Sequence, residues 1–117
     1  MLRLRGKRVF LACGRTDMRK QANGLVALIE NSFQLDPFDG AYFVFCNQNR
    51  DRIKIIEWDG DGFWLHAKRL QKGKFKWPAS GAEATMTLSG EELSYLLGGT
   101  RVELKIKRSS VFEIKGI

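Results

Sequence analysis

Two strand-like segments separated by four turn residues form the clearest structural pattern in this sequence. Residues 52–58 alternate charged with apolar side chains, and residues 63–68 are again rich in aromatic side chains. The Asp-Gly-Asp-Gly segment 59–62 lies between them. Glycine reaches positive φ angles without a steric penalty, so an Asp-Gly repeat in this place is typical of a tight reversal. We therefore predict an antiparallel hairpin over residues 52–68.

Further strand-like segments lie on both sides of this hairpin. Residues 8–13 and 41–46 are short apolar runs with β-branched and aromatic side chains, the pattern of buried strands. Residues 47–51 have the composition of a turn, which would join the strand 41–46 to the hairpin as a meander. Residues 72–77 alternate basic with aromatic side chains ahead of a proline and predict either a short edge strand or an exposed arm.

Two helices are predicted. Between residues 18 and 33 apolar side chains recur at steps of three and four residues, the period of one helix face, and Thr16 or Asp17 precedes them as a candidate N-cap. Ser89 and Glu92 match the Ser-x-x-Glu capping box, in which each side chain satisfies a backbone donor of the other residue. A leucine-rich stretch follows this box, so it predicts a short helix.

These elements predict one α+β domain over residues 1–117, with a mostly antiparallel sheet, one amphipathic helix packed on it and a short helix near the C-terminus. The length of 117 residues and the 44% hydrophobic content allow one sizeable core. We assign Trp58 and Trp64 to this core because they alternate with polar residues inside predicted strands. The tail 100–117 alternates apolar with charged side chains over residues 101–107, which predicts an extra C-terminal strand.

The apolar runs and the cysteines bear on the cellular setting. No run approaches the roughly 20 apolar residues that a membrane-spanning helix needs, and Arg3 and Arg5 are not followed by the apolar stretch of a signal peptide. Cys13 and Cys46 are far apart in sequence and lie inside apolar runs, where a buried free thiol is the common outcome. We expect an unexported protein in the reducing cytoplasm, with no membrane partner.

Charge is distributed unevenly along the chain. Twenty Lys and Arg against 13 Asp and Glu give a net charge of +7, which suggests a polyanionic partner. Residues 1–24 hold seven bases and one acid, and residues 68–76 hold five bases and no acid. A third basic cluster lies at residues 101–108. The clusters form a phosphate-binding patch if the fold brings them to one face and an ordinary soluble surface if it does not, and the sequence leaves both open.

Residues suited to catalysis or metal binding are few. His66 is the single histidine, and the two cysteines lack the short spacing of zinc ligands. Asp59 and Asp61 are adjacent turn residues without the further ligands of a calcium loop or a two-metal site, so we interpret them as turn residues. The sequence contains no phosphate-binding glycine loop and no nucleophile elbow. We therefore predict no catalytic residues, no metal and no cofactor.

Two segments are candidates to contact nucleic acid. Arg15, Arg19 and Lys20 would lie at the start of the predicted helix, where backbone N–H groups favour a phosphate, although solvated charges beside a capped helix are equally compatible. Residues 68–77 interleave cations with aromatic rings, the composition that holds phosphates while stacking on bases, although packing in the core is the commoner role of such rings. The predicted contact residues are Arg15, Arg19, Lys20, Arg52, Lys54, Lys68, Arg69, Lys72, Lys74, Lys76 and Trp77.

Several motifs carry a family resemblance. The segment 14–20, Gly-Arg-Thr-Asp-Met-Arg-Lys, is similar to the Gly-x-Thr-Asp-Met-Arg-Lys motif of the accessory protein encoded by insertion-sequence-66 elements, which are bacterial transposable elements. Further matching motifs follow in the expected order: Asp36-Pro37-Phe38, Phe43-Val44-Phe45, Arg52-Ile53-Lys54, the segment 58–63, Lys68-Arg69-Leu70, the segment 73–78 and Leu97-Gly98-Gly99. The resemblance covers residues 8–99 and leaves the tail 100–117 beyond the family's usual end.

This resemblance implies a non-catalytic accessory factor that acts beside a separate, larger transposase in DNA transposition. The charge distribution adds the expectation that the protein contacts DNA, for example at the element ends. The alternative is a protein-interaction module that docks the transposase through a sheet edge or an aromatic strip without binding DNA. A small nuclease is disfavoured because the chain lacks the necessary carboxylates and histidines. The sequence predicts no oligomeric state.

Overall fold

Short apolar runs form the centre of a β-sheet. The computed structural model describes residues 2–98, in which β1 (Arg8–Ala12) lies beside β2 (Tyr42–Cys46). Every residue of β2 is buried. A strand that is covered on both faces has a continuous apolar sequence rather than an alternating one, and Tyr-Phe-Val-Phe-Cys has this pattern.

Three more strands complete the sheet: β3 (Arg52–Trp58), β4 (Phe63–Arg69) and β5 (Thr85–Ser89). The strand order is β4-β3-β2-β1-β5. The β1–β2 pair is parallel, whereas the other three pairs are antiparallel. The mostly antiparallel α+β fold and the hairpin are therefore confirmed. Parallel neighbours need a long crossover connection, and the first helical region supplies it.

The first helix begins later than the sequence predicts. It is α1 (Ala22–Ala27), and a π-helical turn over Leu28–Ser32 continues it. The N-cap is Gln21, whose side chain makes no capping hydrogen bond. The predicted start at residue 18 is wrong because Asp17 accepts hydrogen bonds from the backbone N–H and the guanidinium of Arg19 instead. These bonds close a local turn ahead of the helix.

The second helix is α2 (Gly90–Leu97), and its predicted capping box is confirmed. The Ser89 N–H donates to Glu92 Oε1 at 2.9 Å, and the Glu92 N–H donates to Ser89 Oγ at 3.0 Å. The strand that leads into this helix, β5, was not predicted. It pairs with β1 over its full length, from Arg8 opposite Ser89 to Ala12 opposite Thr85, so it depends on a partner far away in sequence.

The two faces of the sheet carry separate cores. On one face, Leu25 and Ile29 of the first helical region pack with Phe43, Phe45 and Ile56. On the other face, α2 and the irregular segment before β5 pack against the sheet, and this second core includes Val9, Leu11, Val44, Ile55, Phe75, Trp77, Leu93 and Leu96.

The positions of Trp64 and Trp77 show that two predictions from the sequence are wrong. Trp64 is 54% exposed, so its placement in the core is wrong; it lies on the edge strand β4. Trp58 is partly buried against the rings of Phe38 and Phe63. The segment 72–77 is neither a strand nor an exposed arm, because Trp77 packs into the core there.

Other predictions concern the cysteines, the membrane and the tail. Cys46 is buried, Cys13 is partly buried, and both are free thiols. Within residues 2–98, no helix is long and apolar enough to cross a membrane. The strand predicted over residues 101–107 lies outside the described residues.

Candidate nucleic-acid interface

The loops that follow the two parallel strands meet at one end of the sheet. The Thr16 N–H, after β1, donates to the carbonyl of Cys46 at the end of β2, at 2.7 Å. The Gly14 N–H donates to the Pro78 carbonyl at 2.9 Å, which brings the segment before β5 to the same place. Because β3 and β4 are antiparallel to their neighbours, β3 begins here and β4 ends here, with Arg52 opposite Arg69.

We call this region the basic end of the sheet and define it as residues 13–20, 47–54 and 67–78. It contains eleven basic residues and only two acids, Asp17 and Asp51. The fold therefore brings together segments that are far apart in sequence. The basic residues are Arg15, Arg19, Lys20, Arg50, Arg52, Lys54, Lys68, Arg69, Lys72, Lys74 and Lys76.

Three of the lysines at the basic end hold the backbone of the protein itself. Lys54 Nζ donates to the carbonyls of Met18 and Lys20, each at 2.8 Å, and so fastens the segment before α1 to β3. Lys68 Nζ donates to the Leu97 carbonyl at 2.7 Å, and Lys74 Nζ donates to the Asn49 carbonyl at 2.8 Å. An ammonium group has three donors, so the exposed Lys68 and Lys74 retain donors for a partner, whereas the partly buried Lys54 serves mainly the fold.

Arg19 is neutralised by its neighbour. Its guanidinium donates to both carboxylate oxygens of Asp17. This hydrogen bonding holds the pKa of Asp17 well below its usual range, and Asp17 in turn raises the pKa of Arg19. The predicted position of Arg15, Arg19 and Lys20 at a helix N-terminus is wrong because α1 begins only at Ala22.

Five cations of the basic end make neither an ion pair nor a side-chain hydrogen bond within residues 2–98: Lys20, Arg50, Arg52, Arg69 and Lys72. All five are exposed except Lys20, which is partly buried. Hydrogen bonding from Asn47 lowers the pKa of Asp51, and the charges of Arg52 and Arg69 lower it further. These five cations are therefore the side chains of the basic end that are most available to a phosphate.

Arg50 is a candidate that sequence reasoning missed. It lies in the turn between β2 and β3, outside the runs of basic residues that drew attention to the other candidates. Its φ of +63° is in the left-handed region, which residues other than glycine seldom adopt. The available signal was a basic residue in a short polar turn between two strands.

Trp77, in contrast, is not placed to stack on bases. It is only 7% exposed, and its indole Nε1 donates to the Ala12 carbonyl at 2.9 Å. Phe75, two residues earlier, is 1% exposed. Both rings pack in the core, so the prediction that Trp77 contacts nucleic acid is wrong: the basic side chains around it lie at the surface, whereas the ring packs against the sheet.

Two of the open clefts at the basic end have a lining residue in common. One, of about 490 Å³, lies between residues 15–18 and residues 47–49. The other, of about 320 Å³, is lined by Met18 together with residues 52–54 and 67–69. Met18 lines both clefts, and the Arg15 guanidinium donates to Gln48 Oε1 across the first, at 2.7 Å. The basic end is therefore an indented surface lined by cations and amides.

The turn acids Asp59 and Asp61 lie at the opposite end of the sheet. The Asp59 carboxylate accepts hydrogen bonds from the Asp61 N–H and from the Trp64 indole, and the Trp64 bond is the main cause of its lowered pKa. Among residues 2–98, no three His, Cys, Asp or Glu side chains are grouped so that they could hold a metal ion. Burial lowers the pKa of His66, whose ring stacks on Trp64.

The chain is similar to known proteins along most of its length. A family model described as IS66 Orf2 like protein matches residues 7–107, which extends the match eight residues beyond the predicted limit at residue 99 and into the tail. The uncharacterized protein y4jC of Sinorhizobium fredii is 41% identical over 108 residues, covering 89% of this chain and 92% of the relative. The uncharacterized protein y4hO of the same organism is 40% identical over 92 residues, or 79% of each chain. No solved structure matches the chain significantly.

Proposed function

The chain belongs to the IS66 Orf2-like family of insertion-sequence proteins, and from this premise we propose that it is a non-catalytic accessory factor that binds DNA through the basic end of its sheet. The association with transposition comes from the family. The proposal of DNA contact comes from the side chains of this chain.

The convergence of basic residues carries the proposal. Three segments that are separate in sequence bring eleven bases and two acids to one end of the sheet. One of the acids, Asp17, is already paired with Arg19, and five of the bases make neither an ion pair nor a side-chain hydrogen bond within the described part of the chain. Such a surface binds DNA by neutralising phosphates and releasing their counterions.

The carboxylates at the basic end favour a binding role over a catalytic one. Asp17 is held by the Arg19 guanidinium, and Asp51 accepts a hydrogen bond from the Asn47 amide at 2.7 Å. These partners lower the pKa of both groups, so each stays ionised and occupied near neutral pH. Neither is poised to exchange a proton with a substrate, since a general acid or base needs a pKa close to the working pH.

The alternative function, docking of the transposase, has one observation in its favour. Trp64 is 54% exposed on β4, which is an edge strand of the sheet. Exposed aromatic residues are enriched in protein–protein interfaces. Binding to the transposase that is insensitive to salt and depends on Trp64 would support this alternative.

The experiment is a titration of the purified protein against a short fluorescent DNA duplex over a range of salt concentrations. Five phosphate contacts predict a slope of log K against log salt of about −4 to −5. The double variant Arg52→Gln with Arg69→Gln should flatten this slope by about 2. The matched control, Arg3→Gln with Arg5→Gln, removes the same charge outside the basic end and should keep most of the slope.

Three results would contradict the proposal. The first is an equal effect of the two double variants, since net charge alone would then explain binding. The second is a flat salt dependence. The third is the absence of binding at low salt, which would refute DNA contact by this protein and favour docking of the transposase. Circular dichroism of each variant establishes that the fold is retained.

A further inference from the structure

The turn between β2 and β3 lies in the middle of the basic end. The strands that it joins have β4 on one side and β1 on the other. Arg52 and Arg69 therefore flank the turn on the β4 side, and Arg15 flanks it on the β1 side through its bond to Gln48. The turn residues Gln48, Asn49 and Arg50 are exposed.

The turn is held rigidly by its first residue. Asn47 Oδ1 accepts from the backbone N–H groups of Asp51 and Arg52, both at 3.0 Å. Asn47 Nδ2 donates to the Asp51 carboxylate at 2.7 Å. The Asn47 N–H donates to the Arg52 carbonyl, and the Arg50 N–H donates to the Asn47 carbonyl. One side chain therefore fixes both ends of the turn.

The segment after β4 holds the same turn from outside. Three consecutive backbone carbonyls of the turn accept hydrogen bonds from this segment. Lys74 Nζ donates to the Asn49 carbonyl at 2.8 Å. The Phe75 N–H donates to the Arg50 carbonyl at 2.7 Å, and the Leu70 N–H donates to the Asp51 carbonyl at 2.8 Å. These bonds also support the left-handed backbone of Arg50. With these three carbonyls occupied, the turn offers a partner mainly the side chains of Gln48, Asn49 and Arg50.

Those three side chains have the chemistry that reads base edges. Gln and Asn form paired hydrogen bonds with adenine in the major groove, and Arg forms them with guanine. Phosphate contacts position a protein on DNA, whereas contacts to base edges specify the sequence. The Arg15 bond orients the Gln48 amide and uses one lone pair of Gln48 Oε1, so the second lone pair and the NH₂ group remain available for a base.

Double-stranded DNA fits this surface better than a single strand does. Proteins that bind single strands use exposed aromatic rings as stacking platforms. Phe75 and Trp77 are buried, and the exposed large apolar residues of the described chain, Phe38, Trp64 and Met86, lie outside the basic end. The major groove of a duplex is about 12 Å wide, which is enough to admit the tip of a turn.

We propose that Gln48, Asn49 and Arg50 read base edges in the major groove of duplex DNA, while the cations around the turn hold the phosphates. This inference rests on the proposed function, because base reading requires that the basic end binds DNA. According to this inference, the preference for a DNA sequence comes from three side chains, two of which are uncharged.

The experiment begins with selection of duplexes from a random-sequence pool by the wild-type protein, followed by titration of the enriched duplex and of a scrambled duplex at one salt concentration. The double variant Gln48→Ala with Asn49→Ala keeps the net charge and should weaken binding of the enriched duplex about tenfold or more. Binding of the scrambled duplex should change less than about twofold, since the phosphate contacts are intact.

Two further variants distinguish contacts to base edges from contacts to phosphates. Arg50→Lys keeps the charge but loses the planar fork, so it should reduce discrimination between the two duplexes with little effect on the scrambled one. Arg52→Gln with Arg69→Gln should weaken binding of both duplexes by the same factor and leave their ratio unchanged.

The outcomes distinguish this inference from the proposed function. Salt-dependent binding without any enriched sequence would overturn base reading and leave DNA binding in place. An enriched sequence that the Gln48 and Asn49 variants still prefer to the same degree would also overturn it. Absence of binding to every duplex in the pool would overturn the proposed function and base reading with it.

Discussion

The position of Trp77 leads to a prediction that separates a core role from a surface role. The substitution Trp77→Phe keeps an aromatic ring but removes the indole N–H that donates to the Ala12 carbonyl at 2.9 Å. Loss of the partner of a buried polar group costs about 1–3 kcal/mol. The smaller ring also leaves a cavity in a site that is 7% exposed, which we estimate to cost about 1 kcal/mol more. We expect the free energy of unfolding to fall by about 2–4 kcal/mol.

Trp64→Phe is the matched control. Trp64 is 54% exposed, and its indole donates to Asp59 at the surface, so the same substitution should cost less than about 1 kcal/mol. Both variants are compared with the wild type by urea denaturation followed by far-ultraviolet circular dichroism. DNA affinity is then measured without urea, where the folded fraction of each variant should bind within about twofold of the wild type.

Two results would refute this reasoning. Equal stability changes in the two variants would mean that Trp77 is no more buried than Trp64. A Trp77→Phe variant with wild-type stability and weakened DNA binding would mean that the ring stacks on bases, as the basic segment around it first suggested. Either result would mean that Trp77 belongs to the DNA interface and not to the core.

Three further predictions concern the second helix and the thiols. Gly90→Ala should lower the free energy of unfolding by about 2 kcal/mol or more in urea denaturation, because the added Cβ would lie 1.6 Å from the Leu4 carbonyl oxygen; an unchanged stability would contradict this packing. Ser89→Ala should cost about 1 kcal/mol in the same assay through loss of the N-cap, whereas Ser89→Asp should retain most of the stability. Burial raises the pKa of Cys46 to about 12, so a thiol reagent at neutral pH should modify Cys13 first and Cys46 only after denaturation. Rapid modification of both thiols in the native protein would contradict the burial of Cys46.

The features that the sequence predicted correctly depend on local chemistry. The hairpin over residues 52–68 follows from a turn between two strand-like segments in which Gly60 adopts a positive φ. The capping box of Ser89 and Glu92 forms between residues three apart, so it needs no distant partner. The α+β class follows from the order of these elements. The family resemblance was likewise carried by short motifs that can be read directly along the chain.

The features that the sequence missed depend on distant neighbours. β5 forms by pairing with the edge of β1 that β2 leaves open. The sequence of residues 85–89 does not show that this distant partner is available. Trp77 follows a run of basic residues and Trp64 lies in an aromatic strand, yet Trp77 is the ring that the sheet covers and Trp64 is exposed on an edge strand. The start of α1 is displaced because Asp17 bonds to Arg19 rather than capping a helix.

The same division holds for the candidate interface. Which segments carry the positive charge can be read from the amino-acid sequence, since charge is a property of each side chain. Only the tertiary structure decided that these segments meet at one end of the sheet, because the parallel pair β1 and β2 brings together loops about thirty residues apart. The fold also decided that Lys54 is engaged with backbone carbonyls and that Arg50 lies in the centre of the surface, since both depend on contacts between segments that are remote in sequence.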